Sequence, residues 1–264
     1  MMKKHSRAMM RIAGALALLS WAAGAQAATV FITGANSGIG LEFAKEYAAK
    51  GWSVIATHRH DDTPDTLKEL AAQHKNVRVE KMDVTSPDQI HALAQKLKGT
   101  PIDVLINNAG VYQMGGTYDN QKFGQLNYDY FDTFVATNIK GPMMVTEAFI
   151  ENVKAGAQKK VISISSSHGQ ITRPPMVLGA FWYGMTKAAL NKEMMTLSYV
   201  LKPDGVTVVL FHPGAVLTER QASLKFPGMI ETTVSVSGMI KAIDHLTITD
   251  SGHFLLYDGT PQDW

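Results

Sequence analysis

The 264-residue chain contains no cysteine. A disulfide framework, a thiolate metal site and a cysteine nucleophile are excluded together. Metal-type histidine spacing is missing too. The nine histidines form no H-E-x-x-H, and no G-x-S-x-G turn is present to carry an esterase serine. Charge is sparse, at 18% against 45% hydrophobic residues, a globular balance that excludes disorder, collagen and coiled coil. An excess of one sign is also lacking. Lys3, Lys4, Arg7 and Arg11 supply 4 of the 25 basic residues, which leaves 21 bases against 23 acids from residue 28 onward. Without a basic patch, no nucleic-acid partner is expected.

Long apolar runs are absent after residue 27. Before it, residues 1–11 are basic, residues 12–24 are apolar with one serine, and Ala25-Gln26-Ala27 is a small-residue cleavage pattern. These three parts describe a signal peptide over residues 1–27. The apolar run is short for a membrane span, so no stable anchor is expected after cleavage. No Arg-Arg pair supports the twin-arginine route. The expected location is periplasmic or secreted, and a cytoplasmic enzyme with a misassigned start is the alternative.

From residue 29 on, strand and helix patterns alternate. Strands are expected at 29–33, 53–57, 77–80, 104–106, 160–164, 206–211 and 253–256. Helices are expected at 39–50, at 63–73 with Thr63-Pro64 as N-cap and first-turn proline, from Ser86-Pro87 to about 97, up to about 153, at 182–201 and near 236–245. Residues 112–130 read as a loop and 217–227 as irregular. Alternation of this kind implies right-handed βαβ units. The expected fold is α/β, one domain over residues 28–264 with a doubly wound, parallel, seven-stranded sheet.

Thr33-Gly34-Ala35-Asn36-Ser37-Gly38-Ile39-Gly40 follows the first strand and opens the first helix. A helix N-terminus offers unpaired N–H groups and the positive end of the dipole, which suit a pyrophosphate. Glycine permits the tight turn and a close backbone approach. Asn107-Asn108-Ala109-Gly110 follows the fourth strand, Tyr183-Gly184-Met185-Thr186-Lys187 opens the long helix after the fifth, and Pro213-Gly214 with Val216 and Thr218 follows the sixth. In this order the segments resemble the T-G-x-x-x-G-x-G, N-N-A-G, Y-x-x-x-K and P-G-x-V-x-T motifs of the short-chain dehydrogenase/reductase family. The stretch 183–191 and the terminal Tyr257-Asp258-Gly259 are most similar to its C-factor and sniffer-type carbonyl reductase branch.

The resemblance implies an NAD(P)-dependent, Rossmann-like oxidoreductase that reduces an aldehyde or ketone, or oxidises the alcohol. It implies a cofactor site at Gly34, Asn36, Ser37, Gly38, Ile39, Gly40, Arg59, Asp83, Val84, Asn108, Ala109, Gly110, Tyr183, Lys187, Pro213, Gly214, Val216 and Thr218. Tyr183 and Lys187 lie four apart on one helix face, and a nearby ammonium is expected to lower the phenol. Such a phenol serves as the acid for a developing alkoxide. Ser166, 17 residues before Tyr183 and three before Gly169, matches the family's substrate-polarising serine, with Ser165 and Ser167 as alternatives. Asn138 matches the asparagine that holds a water in the family's proton relay; an exposed polar position is the other reading. Asp83 either contacts adenine or caps the next helix. His168 reads as a loop histidine rather than a base.

No acid stands near Thr57 to take a ribose 2′-hydroxyl, while Arg59 suits a 2′-phosphate, so NADPH is expected, with NADH the alternative. Met176, Val177, Leu178, Phe181, Trp182, Leu224, Phe226 and Met229 are expected to wall an apolar substrate pocket, and the 112–130 loop reads as a lid or as packing. Relatives of this kind form homodimers or homotetramers. An exported, non-catalytic binding or signalling module that keeps the fold is the competing reading.

Overall fold

In the computed structural model, residues 27–114, 119–174, 179–219 and 227–264 are described. The leader through residue 26, and Met176, Val177, Leu178, Leu224 and Phe226, lie outside the described residues.

Short apolar runs become the strands β1 (Thr29–Ile32), β2 (Ser53–His58), β3 (Val77–Lys81), β4 (Val104–Asn107), β5 (Lys160–Ile164) and β6 (Thr207–His212). With β9 (Phe254–Leu256) they form one sheet in the order β3-β2-β1-β4-β5-β6-β9. Every neighbouring pair is parallel. Strands buried on both faces need no alternation, which is why β1 and β4 carry the unbroken apolar runs Val30–Ile32 and Val104–Ile106, while β5 is buried throughout, Lys160 and Ser163 included. The edge strand β3 is the more open one, with Arg78 and Lys81 exposed.

Helices α1 (Gly38–Ala49), α2 (Asp65–Gln73) and α7 (Thr232–His245) flank the sheet with α3 (Pro87–Lys96), α5 (Gly141–Ala155) and α6 (Phe181–Leu201). One core cluster joins Phe43, Tyr47, Leu67, Val236 and Met239 to the sheet; the other joins Ile90, Leu93, Phe149, Leu190 and Met194. The Phe149 ring meets that of Phe31 at 4.5 Å, tilted by 40°, across the helix–sheet interface.

Most expected elements form, with local differences. Ser86 caps α3 by accepting from the Gln89 N–H, and Pro87 takes the first turn. Pro64 lies outside α2, in an extended conformation, so the helix begins at Asp65 rather than after a Thr63 cap. The 217–227 region is not wholly irregular: β7 (Val216–Leu217) pairs in parallel with β8 (Ile230–Glu231). Within 112–130, 3₁₀ turns form at Asp119–Gln121 and Tyr128–Tyr130. The helix that follows runs through α4 (Phe131–Val135), a π-turn at Ala136–Lys140 and then α5.

The strand order reverses between β1 and β4, which opens a crevice at the carboxyl ends of the strands. The loops after β1, β4, β5 and β6 all leave the sheet at that edge.

Candidate active site

Two of those loops are locked together by Thr33 and Asn108. Thr33 Oγ1 accepts from the N–H groups of Asn108 (2.9 Å) and Ala109 (3.0 Å). The Asn108 side-chain amide donates to the carbonyls of Thr33 (2.9 Å) and Gly34 (3.1 Å). Asn108 therefore holds the glycine turn in shape. Gly34 has φ +64°, and a Cβ there would come within 3.0 Å of Ala109 Cα. At Gly40 a Cβ would collide with the Asn108 amide and the Gly34 carbonyl. Gly38 (φ +53°) faces Thr218, whose Cγ2 would lie 3.4 Å from an added Cβ. Helix α1 begins after an extended Ser37 with no side-chain cap, so its first-turn N–H groups face the crevice uncapped. Ile39 packs on the core, and the Asn36 carbonyl accepts from Thr66. This cradle of close-packed backbone at a helix start fits a dinucleotide pyrophosphate.

The other cofactor candidates line the same crevice edge. Thr57 is buried and donates to Ile32 O at 3.1 Å, while Arg59 is exposed and makes no ion pair among the described residues. Asp83 accepts from Thr85 N–H and hydroxyl, both at 2.8 Å, and does not cap α3, which Ser86 does. Val84 is buried against Gly141. Gly110 lies under the side chains of Asn138 and Lys187. Beyond β6, Pro213 O accepts from Ser235 at 2.6 Å, Gly214 has φ +84° against Ile230 and Tyr257, and Val216 sits in β7.

The three adjacent serines after β5 part company. Ser165 donates to Asn191 inside the helix layer. Ser166, 6% exposed, hydrogen-bonds with the Tyr183 side chain. Its Oγ also lies 3.2 Å from both the backbone N and Nδ1 of His168. Ser167 is only half-buried. Hence the structure brings Ser166 to Tyr183.

Lys187 is buried, with Nζ donating to Ile164 O at 2.7 Å and lying 5.8 Å from the Tyr183 ring centroid. Burial pushes its ammonium down to about 8. The expected lowering of the Tyr183 phenol is not found. Burial dominates and raises it, the Ser166 hydrogen bond opposes the rise, and the Tyr112 phenol adds to it. The lysine cation is directed at a backbone carbonyl, which is why it does not offset that burial.

Asn138 sits in the π-turn with 1% of its surface exposed, which rules out the exposed-polar reading. Its Oδ1 accepts from Val111 N–H (2.8 Å), and Nδ2 donates to Val111 O (2.7 Å) and Thr186 Oγ1 (3.0 Å). Asn138 thus ties the loop after β4 to α6, directly beside Lys187.

One residue escaped the sequence reading. Gln121 has no exposed surface and bridges Tyr112 O to the Tyr183 N–H. His168 does lie in a loop, in the 3₁₀ turn Ser167–Gly169, and its ring is 5.4 Å from that of Tyr183. Trp182 turns away from Tyr183, donates to Asn127 O and packs between Tyr128 and Phe131, while Phe181 remains 48% exposed beside Phe123. Tyr112 and the stretch 119–131 are accordingly fastened to α6 by hydrogen bonds and rings, through Gln121 and Trp182 among others. Met229 is half-buried. Among the described residues no group of three metal-binding side chains forms, and no helix is long and apolar enough to cross a membrane.

The short chain dehydrogenase family model matches residues 28–226. An uncharacterized oxidoreductase of Schizosaccharomyces pombe is 33% identical, covering 87% of this chain and 95% of its own. The C-signal protein of Myxococcus xanthus is 35% identical over 66% of this chain and 100% of its own. The crystal structure of an NADPH-bound carbonyl reductase from chicken fatty liver superposes with a TM-score of 0.83 at 30% identity, covering 90% of this chain and 100% of that one.

Proposed function

The chain belongs to the short chain dehydrogenase family, and on that premise we propose that it reduces an aldehyde or ketone to the alcohol with NADPH. The observation that carries the reading is the hydrogen bond between Ser166 and Tyr183, beside a buried Lys187, at the crevice mouth. Two hydroxyls converge where a carbonyl oxygen would be held.

The Gly34–Gly40 turn, the α1 N-terminus and Thr218 would hold the pyrophosphate, and the exposed Arg59 would take the 2′-phosphate. Asp83 and Val84 flank the adenine, and Asn108, Ala109, Gly110, Pro213, Gly214 and Val216 shape the remaining wall. The nicotinamide, when bound, supplies the hydride. Ser166 donates a hydrogen bond to the carbonyl oxygen and stabilises charge as it develops there. Burial keeps the Tyr183 phenol protonated at neutral pH, so it stands ready as the acid. The carbonyl carbon gains the hydride, the oxygen gains the Tyr183 proton, and the phenolate recovers a proton from solvent. Lys187, held by Ile164 O, keeps its cation 5.8 Å from the Tyr183 ring centroid, near enough for its field to act on that phenolate. Exposed Phe123 and Phe181 near the start of α6 support an apolar substrate.

The similarity to C-signal motivates a second reading, an exported module that signals without turnover. A convergent set of Ser166, Tyr183 and Lys187 has no evident use in such a module. NADPH oxidation measured across aldehydes and ketones, in wild type and Tyr183→Phe, separates the two. The reductase reading expects turnover that falls at least about 100-fold in the variant, with cofactor binding retained. Turnover unchanged by the substitution overturns it.

A further inference from the structure

His168 touches both hydroxyl-bearing residues of the site, and the three-residue turn that carries it is clamped onto α6. A Cβ on Gly169 would meet the Lys187 carbonyl carbon at 2.7 Å, and one on Gly184 would meet His168 O at 3.2 Å. The imidazole is thereby fixed against the Tyr183 ring, with Nδ1 3.2 Å from Ser166 Oγ.

The hydrogen-bond count at that oxygen is informative. The backbone N–H of His168 can only donate, so it takes one lone pair of Ser166 Oγ. One lone pair and one O–H remain. If Nδ1 is bare, it draws the serine's own proton, and Ser166 has none left for a substrate oxygen. If Nδ1 carries the proton, it fills the second lone pair, and the serine O–H points freely to Tyr183 or to a carbonyl.

The other ring nitrogen decides between these. His168 Nε2 is buried and has no hydrogen-bond partner among the described residues. A neutral imidazole has one N–H. On Nε2 that N–H would be a buried orphan donor, whereas a bare Nε2 is only an unfilled acceptor, the more tolerable of the two. Burial keeps the ring neutral. The neighbouring His212, pushed down to about 4, is neutral as well, with its own Nδ1 buried and unpartnered.

We propose that His168 is a positioning residue for reduction: it donates from Nδ1 to Ser166 Oγ and so turns the serine hydroxyl proton toward the substrate carbonyl. Each donor in this chain polarises the next, which strengthens the Ser166 O–H as a donor where the oxyanion develops. The proposal rests on the reductase reading for its consequence, but the position of the proton does not.

The test has two parts. In the full protein labelled with ¹⁵N-histidine, without cofactor, the nitrogen shifts identify which ring nitrogen of His168 carries hydrogen, with His168→Asn providing the assignment; Nδ1 is expected. His168→Leu removes the donor, and His168→Asn keeps a neutral N–H at the branch where Nδ1 sits. Leu is expected to lower kcat by about 10- to 100-fold with KM and NADPH affinity little changed, and Asn to stay within about threefold of wild type. A proton on Nε2 overturns the proposal, as does a folded Asn variant as slow as the Leu variant. Should Leu fail to fold, the Asn variant and the nitrogen shifts decide. A wild type that reduces no carbonyl overturns the reductase reading, and the nitrogen shifts alone then settle the proton's place.

Discussion

Gln121 Oε1 accepts the backbone N–H of Tyr183 at 3.0 Å, and the glutamine's Nε2 donates to Tyr112 O at the same distance. One fully buried side chain therefore caps the start of α6 and fastens the 112–130 segment to it. The Tyr112 ring meets the Tyr183 ring edge-on at 6.4 Å, so the same bridge sets what stands beside the phenol.

Replacing Gln121 with Leu leaves both backbone groups unpaired. The loss is expected to destabilise the protein by about 1–3 kcal/mol. Because Tyr183 then loses its anchor, kcat is expected to fall by about 10- to 100-fold with NADPH affinity unchanged. Urea unfolding and steady-state kinetics check the two halves separately.

Lys187 gives the opposite sign for stability. Its folded ammonium is pushed down to about 8, below its unfolded value, so the folded state binds the proton less tightly. The penalty is fully present below pH 8 and is relieved as pH rises toward the unfolded value; stability contributed by this group rises over that window. Lys187→Met removes the penalty but also the bond to Ile164 O. The apoprotein is expected to gain on the order of 1–2 kcal/mol at pH 7 while turnover is lost. Denaturation at pH 7 and pH 10 checks it: the gain shrinks at the higher pH.

Arg59 is expected to act on cofactor choice alone. Arg59→Ala should weaken NADPH about 10- to 100-fold, the loss of a charge-assisted phosphate contact, and leave NADH within about twofold. Fluorescence titration with both cofactors reads the ratio directly.

Ala28 O accepts from Ser53 N–H at 2.8 Å, just ahead of β1. Cleavage after Ala27, the processing site proposed for the export leader, would keep that bond. N-terminal sequencing of the native protein is expected to begin at Ala28; a start at Met1 in the mature protein would remove the case for export.

The readable parts of the site were those where chemistry and chain position coincide. Gly34, Gly38 and Gly40 follow a strand and open a helix, and Tyr183 and Lys187 share a helix face, so spacing alone joins them. The parallel sheet was legible because β1 and β4 are buried on both faces and carry short apolar runs without alternation. Gln121 lay beyond reach: it sits in a 3₁₀ turn with no periodicity, and its partners are 9 and 62 residues away. His168 was read as a loop residue, and its contacts with Ser166 and Tyr183 were not legible because they depend on how the 167–169 turn is pressed onto α6, which no local pattern announces. The phenol of Tyr183 was misjudged for a different reason. A lysine four residues on predicts proximity, but not that its Nζ turns to Ile164 O while burial raises the phenol. The two-residue strands β7 and β8 are too short to leave a signal.

The most direct measurement follows the hydride. An apolar ketone is reduced with NADPH deuterated at C4, on each face in turn, and the alcohol is analysed for label. The account predicts deuterium at the carbinol carbon from one face only, a rate slowed by the label, and loss of product in Tyr183→Phe. An alcohol without label, or labelled product formed equally well by the Tyr183→Phe protein, would contradict it.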